Sequence, residues 1–120
     1  MAKRILVIDD DEKILRIFNL LITSFGYYPI LVNDPAEGLE ILQNDPPALI
    51  LLDLMMSPMN GLQFLDERRK IPGALRVPVV ILSALRLNDE EFAPYADSVA
   101  EVAIKPVEPA QLKEIIARYA

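Results

Sequence analysis

The stretch Ala48–Gly61, ALILLDLMMSPMNG, decides the fold. Ala48 to Leu52 are apolar without a polar break, and Asp53 ends the run. An uninterrupted run fits a strand covered on both faces, whereas a strand with one wet face alternates. Four further runs resemble it: RILVID (Arg4–Asp9), YPILV (Tyr28–Val32), VPVVILS (Val77–Ser83) and VAEVAIK (Val99–Lys105). Helix-like patterns lie between them, so strand and helix alternate five times. That alternation implies parallel strands joined by right-handed crossovers and a three-layer α/β/α open sheet.

The helix signals are specific. Ile14, Ile17, Phe18, Leu21 and Phe25 recur at helical spacing, and Gly26 supplies a C-terminal stop. Asp34-Pro35-Ala36-Glu37 reads as an N-cap, a proline in the first turn and a capping-box glutamate. Asn60–Gln63 and Asn88–Glu91 follow the same logic. After Lys105, residues Val107, Leu112, Ile115, Ile116 and Tyr119 fall roughly on one face. Pro94 predicts a short or irregular helix between the fourth and fifth strands.

Composition narrows the function classes. The 120 residues are one domain's worth, and 52% hydrophobic content supports a substantial core. Cysteine and histidine are both absent, which removes disulfides, thiolate or imidazole metal sites and phosphohistidine chemistry on this chain. The net charge of −6 argues against direct nucleic-acid binding, which needs basic contacts to phosphate. No apolar run approaches the roughly 20 residues of a membrane span, and the basic start MAKR precedes too short an apolar stretch for a signal peptide. There is no internal repeat, low-complexity tract or linker, so residues 1–120 read as a single domain.

In open parallel sheets the functional crevice lies beyond the carboxyl ends of the strands. The first strand ends in Asp9 and Asp10, the third in Asp53, the fourth in Ser83 and the fifth in Lys105-Pro106. Two carboxylates ~5 Å apart repel by roughly 3 kcal/mol at an effective dielectric of about 20. A hard cation with oxygen ligands offsets this, and Mg²⁺ suits one or two carboxylates plus water and phosphate oxygens; Mn²⁺ is the alternative. An isolated strand-end Asp is commonly a turn former, and it is the convergence of partners that separates Asp53 from that case. Asp11 reads as a solvated helix-start residue, Met55, Met56 and Met59 as packing residues, Asp66–Lys70 (DERRK) as a solvated helix face, and the four tyrosines as carrying no assignable chemistry.

The motifs ILVIDDDEKIL, LILLDLMMSPMNG, VVILSA and IKP, in this order and spacing, resemble receiver domains of two-component response regulators, the chemotaxis-regulator-like family. The resemblance implies a flavodoxin-like (βα)5 sheet in the order 2-1-3-4-5. It implies that Asp53 is the phosphoacceptor, and that Asp9, Asp10, Asp53 and the backbone carbonyl of Met55 hold Mg²⁺. Ser83 becomes the switch hydroxyl, and Lys105, followed by a cis peptide bond to Pro106, pairs with Asp53 and then the phosphate. The implied function is a phosphorylation-activated signalling receiver, regulatory rather than enzymatic, that catalyses its own Mg²⁺-dependent phosphorylation and autodephosphorylation. The implied setting is cytoplasmic. The donor is a sensor histidine kinase or phosphotransfer protein, and the recipient is a target protein or an output domain outside these residues. A monomer or weak phosphorylation-linked dimer is expected.

Three positions depart from the family pattern. Ser57 stands where a proline is usual, four residues after Asp53; Val102 replaces the aromatic three before the lysine; and Ser98-Val99 replaces the usual Gly-Ala. A reshaped loop around an intact site is expected from the first, and an output mechanism without a swinging ring at 102 from the second. Two other classes compete. An Asp-nucleophile phosphatase of the haloacid-dehalogenase type would carry a second acid two residues after Asp53, where Met55 stands. A phosphorylation-independent interaction module would fail to accept phosphate from acetyl phosphate.

Overall fold

A computed structural model describes residues 2–54, 61–83 and 93–120. Five strands, β1 (Arg4–Ile8), β2 (Tyr28–Val32), β3 (Leu49–Asp53), β4 (Val79–Ser83) and β5 (Glu101–Ile104), pair in parallel in the order β2-β1-β3-β4-β5. Four α-helices are described: α1 (Glu12–Ser24), α2 (Pro35–Asn44), α3 (Gly61–Arg68) and α4 (Pro109–Tyr119). Two 3-10 segments, Ala74–Arg76 and Ala93–Ser98, precede β4 and β5. The topology is the flavodoxin-like one that the family resemblance implied.

Strand alternation divides the apolar runs between two cores. Ile5, Val7, Leu49, Leu51, Val80, Leu82 and Ala103 pack on one face with α1 and α4. Leu6, Ile8, Ile50, Leu52, Val79 and Ile81 pack on the other with α2 and α3. β3 and β4 are buried throughout, which is why neither shows an apolar-polar alternation.

Caps fix the helix ends. Asp11 and Asp34 accept hydrogen bonds from the amides of Lys13 and Ala36, at 2.9 and 3.0 Å. α1 ends at Ser24, and Gly26 adopts a φ of 91°, a conformation that side-chain-bearing residues resist. The buried stripe of α1 is Leu15, Phe18 and Ile22, with Ile14, Leu21 and Phe25 at its margins. Ile17, expected on that stripe, is 51% exposed, because a residue next to Phe18 lies about 100° around the helix from it. On α4, Leu112, Ile115 and Ile116 are buried as expected, with Tyr119 and, before the helix, Val107 at the edge.

The solvated face expected for Asp66–Lys70 holds at Asp66, Arg69 and Lys70, which are exposed, and is corrected at Arg68. Arg68 is among the largest fully buried side chains, bonding the carbonyls of Ser98 at 2.6 Å and Val77 at 2.8 Å. The tyrosines are also not all idle. Tyr95 donates to Asp66 Oδ1 at 2.9 Å, its ring lies under the Arg69 guanidinium at 4.8 Å, and it packs against the α2–α3 core. The expected irregularity around Pro94 appears as the 3-10 run Ala93–Ser98, while the cap at Asn88–Glu91 and that at Asn60 lie outside the described residues.

Candidate functional site

Three strands carry the site to one edge of the sheet. Asp53 continues the parity of Leu49 and Leu51, Asp9 that of Ile5 and Val7, and Lys105 that of Ala103. The β1–β3 register pairs Val7 with Leu51, so two residues further on Asp9 stands level with Asp53. Alternation therefore brings two acids and one cation together on the α1–α4 side of the sheet edge.

Distances confirm the grouping. Lys105 Nζ donates to Asp9 Oδ2 at 3.0 Å and stands 3.5 Å from Asp53 Oδ1. Asp9 Oδ1 accepts the amide of Asp11 at 2.9 Å, which holds the carboxylate against the start of α1. Asp9 and Asp53 are buried, whereas Asp10 is exposed. Carboxylate oxygens from Asp9, Asp10 and Asp53 lie within 4.8 Å of one another, an all-oxygen set that fits a hard divalent cation. Burial opposes the charge on Lys105, but the hydrogen bond and charge of Asp9, followed by those of Asp53, outweigh it and raise its pKa above the ordinary lysine value.

Ser83 is buried at the end of β4, where its carbonyl accepts the Lys105 amide at 2.7 Å. It shares the strand parity of Val79 and Ile81, so it closes the same sheet edge from the α2–α3 side. The Lys105–Pro106 bond is cis, as the resemblance implied. Met55, proposed as a carbonyl ligand, and the reshaped loop at Ser57 lie outside the described residues. Val102 is partly buried and packs on the α2–α3 core, as do Val99 and Tyr95.

One positioning residue is more important than its sequence reading as part of a cap. The Gly61 amide donates to the Leu54 carbonyl at 2.8 Å. A Cβ on Gly61 would stand 2.8 Å from Leu54 Cα and 2.9 Å from the Asp53 carbonyl oxygen. These are backbone atoms that cannot rotate away, so glycine is what lets α3 start against the strand that ends in Asp53. The visible signal was Gly61 itself, within the helix-start pattern Asn60–Gln63.

Known proteins agree with this geometry. The response regulator receiver domain family matches residues 5–117. The transcriptional regulatory protein GlrR of Escherichia coli is 34% identical over 113 residues, covering 93% of this chain and 25% of the relative. The DNA-binding response regulator MtrA of Mycolicibacterium smegmatis is 30% identical over 118 residues, covering 98% of this chain and 49% of the relative. The chain thus spans a quarter to a half of the length of these curated relatives. The N-terminal domain of a response regulator receiver protein from Methanoculleus marisnigri superposes with a TM-score of 0.80 at 36% identity, covering 98% of this chain and 96% of that one. The receiver domain of sensor histidine kinase PA1611 from Pseudomonas aeruginosa, whose structure has a magnesium ion coordinated in its active-site cleft, gives 0.89 at 25% identity, covering 99% and 98%. With the acids of β1 and β3 and the lysine after β5 gathered at one sheet edge, the chain belongs to the response regulator receiver domain family.

Proposed function

We propose that this domain accepts a phosphoryl group on Asp53 from a phosphohistidine donor and changes its protein contacts in response. The supporting observation is the oxygen cluster of Asp9, Asp10 and Asp53 with Lys105 bridging Asp9 and Asp53. Asp53 sits at a strand end, fixed by the sheet below and by α3 beside it, so its carboxylate is held in place while its outer side meets the donor. In the transfer a carboxylate oxygen of Asp53 bonds to phosphorus as the P–N bond of the donor breaks, and the departing imidazole keeps the nitrogen lone pair and takes a proton.

Asp9, Asp10 and Asp53, with the carbonyl of Met55, would hold Mg²⁺, which neutralises and orients phosphoryl oxygens when bound. Lys105 supplies the second cation. Its ammonium, already between the two buried acids, is placed to follow the negative charge as it moves from the carboxylate to the phosphoryl oxygens. Ser83 is the hydroxyl whose contact differs between the two states. The domain is regulatory: the chemistry it performs is its own phosphorylation and the slow hydrolysis of its own acyl phosphate. A sensor histidine kinase or phosphotransfer protein as donor, a cytoplasmic setting and a downstream protein or output domain as recipient all fit this reading. Among the described residues, no helix is long and apolar enough to cross a membrane.

Intact-mass measurement after acetyl phosphate and Mg²⁺ tests the reading. One phosphoryl adduct, dependent on Mg²⁺ and absent in Asp53→Asn, is expected. An undiminished adduct in Asp53→Asn, or none in the native chain, rejects it.

A further inference from the structure

α3 touches the site at one end and the β4–β5 connection at the other. Its first residue, Gly61, lies against the backbone of Asp53 and Leu54 and donates its amide to Leu54. Its second half, together with Arg69 just past its end, holds the 93–98 segment by separate contacts. Arg68 reaches the Ser98 carbonyl, Arg69 the Pro94 carbonyl, Asp66 the Tyr95 hydroxyl, and Arg69 also covers the Tyr95 ring. Ser98 in turn donates its hydroxyl to the Tyr95 carbonyl at 3.0 Å, which braces the segment internally. The segment leads directly into β5, and β5 ends beside Lys105.

Arg68 shows that this clasp is specific. Burial, and then the neighbouring charge of Arg69, lower its pKa, and among the described residues its Nε has no partner. A buried guanidinium that uses main-chain carbonyls as acceptors is costly unless those carbonyls stay in place. Small displacements of α3 therefore change the Arg68 contacts sharply. Closely packed elements tend to have discrete arrangements, so a helix held by backbone contacts at both ends is suited to pass a shift from one to the other.

We propose that α3 is a connecting rod: it carries changes at the Asp53–Leu54 strand end to the 93–98 segment, whose clasp by Asp66, Arg68 and Arg69 is the first part of the molecule to report them. Its regulatory meaning rests on Asp53 being the phosphoacceptor, but the mechanical coupling does not. Tyr95 is tied to Asp66, covered by Arg69 and, like Val102, packed on the α2–α3 core.

Amide hydrogen exchange on the metal-free, unphosphorylated domain tests the rod. Gly61→Ala forces a Cβ against the Asp53 and Leu54 backbone and should speed exchange at Tyr95 and Ser98–Ala100 at least about threefold relative to Ile116→Val or Ile116→Ala, whichever matches its thermal stability. The reverse must also hold, since coupling between two sites is reciprocal. The double variant Arg69→Ala/Tyr95→Phe, remote from the site, should speed exchange of the Gly61 amide by a similar factor. That variant keeps the question open to decision if Gly61→Ala does not fold. Unaltered exchange at the far end in every folded variant overturns the rod. In the native domain, beryllofluoride with Mg²⁺ should shift the NMR signals of Tyr95 and Ser98. Binding without those shifts rejects the regulatory role, whereas failure to bind counts against the phosphoacceptor reading and leaves the variants to decide the coupling.

Discussion

Lys105 Nζ stands 3.0 Å from Asp9 Oδ2 and 3.5 Å from Asp53 Oδ1, and both acids are buried. Removing the cation takes away the positive charge that stands between two buried carboxylates. Lys105→Met should lower metal-free stability by about 2–3 kcal/mol, and Mg²⁺ should stabilise it more than the native domain, since the charge deficit is larger. Thermal melts with and without Mg²⁺ check both. Asp10 is exposed, so its repulsion is screened by water. Asp10→Asn should raise metal-free stability by less than about 1 kcal/mol while removing most of the Mg²⁺-induced gain. Ser83→Ala should leave uptake on Asp53 largely intact but weaken the conformational response, read as the beryllofluoride-induced change in NMR shifts. At this scale Asp9, Asp53 and Lys105 were legible because strand ends announce themselves where an apolar run stops. Arg68 was not. DERRK reads as polar on its own, and the acceptor that makes burial tolerable, Ser98, is 30 residues away in sequence and joined only by tertiary packing.

The elements show which local signals are sufficient. Asp34 caps α2 through the Ala36 amide, as its pattern predicted. Asp34→Ala should cost about 1 kcal/mol in chemical denaturation, with the midpoint lower and the slope unchanged. Within α2, Gly38 lets the helix approach β1: an added Cβ would fall 2.6 Å from Ile8 Cδ1, the end of a side chain that can rotate. The boundaries of α1 were readable from Asp11 and Gly26, but its buried face was not fully so. Ile14, Ile17 and Leu21 carry the same hydrophobicity as Leu15 and Ile22, and the angle at which the helix meets the sheet selects among them. The 93–98 segment was legible only as an interruption. Pro94 forecast irregular structure, but no local pattern predicted that α3 would hold it.

For the whole molecule, alternation of apolar runs and helical patterns sufficed for a parallel α/β sheet, whereas the strand order came from family resemblance and not from the runs themselves. The order matters because it puts β1, β3 and β4 at the centre and β5 beside β4, so that acids from β1 and β3 meet a lysine from the far edge. Folding thus gathers charge that it must offset, and an added cation should bind the native state preferentially. Saturation with Mg²⁺ at about 100 times its Kd should stabilise the native domain by roughly 2.7 kcal/mol. Identical melts with and without Mg²⁺ would reject the metal site as drawn. The central claim, that this scaffold exists to present Asp53 as a nucleophile, is tested most directly by locating the acyl phosphate. After acetyl phosphate and Mg²⁺, hydroxylamine capture and peptide mapping should find a hydroxamate at Asp53 and at no other acid; a hydroxamate at Asp9 or Asp10 instead, or none on any peptide of a phosphorylated sample, would contradict it.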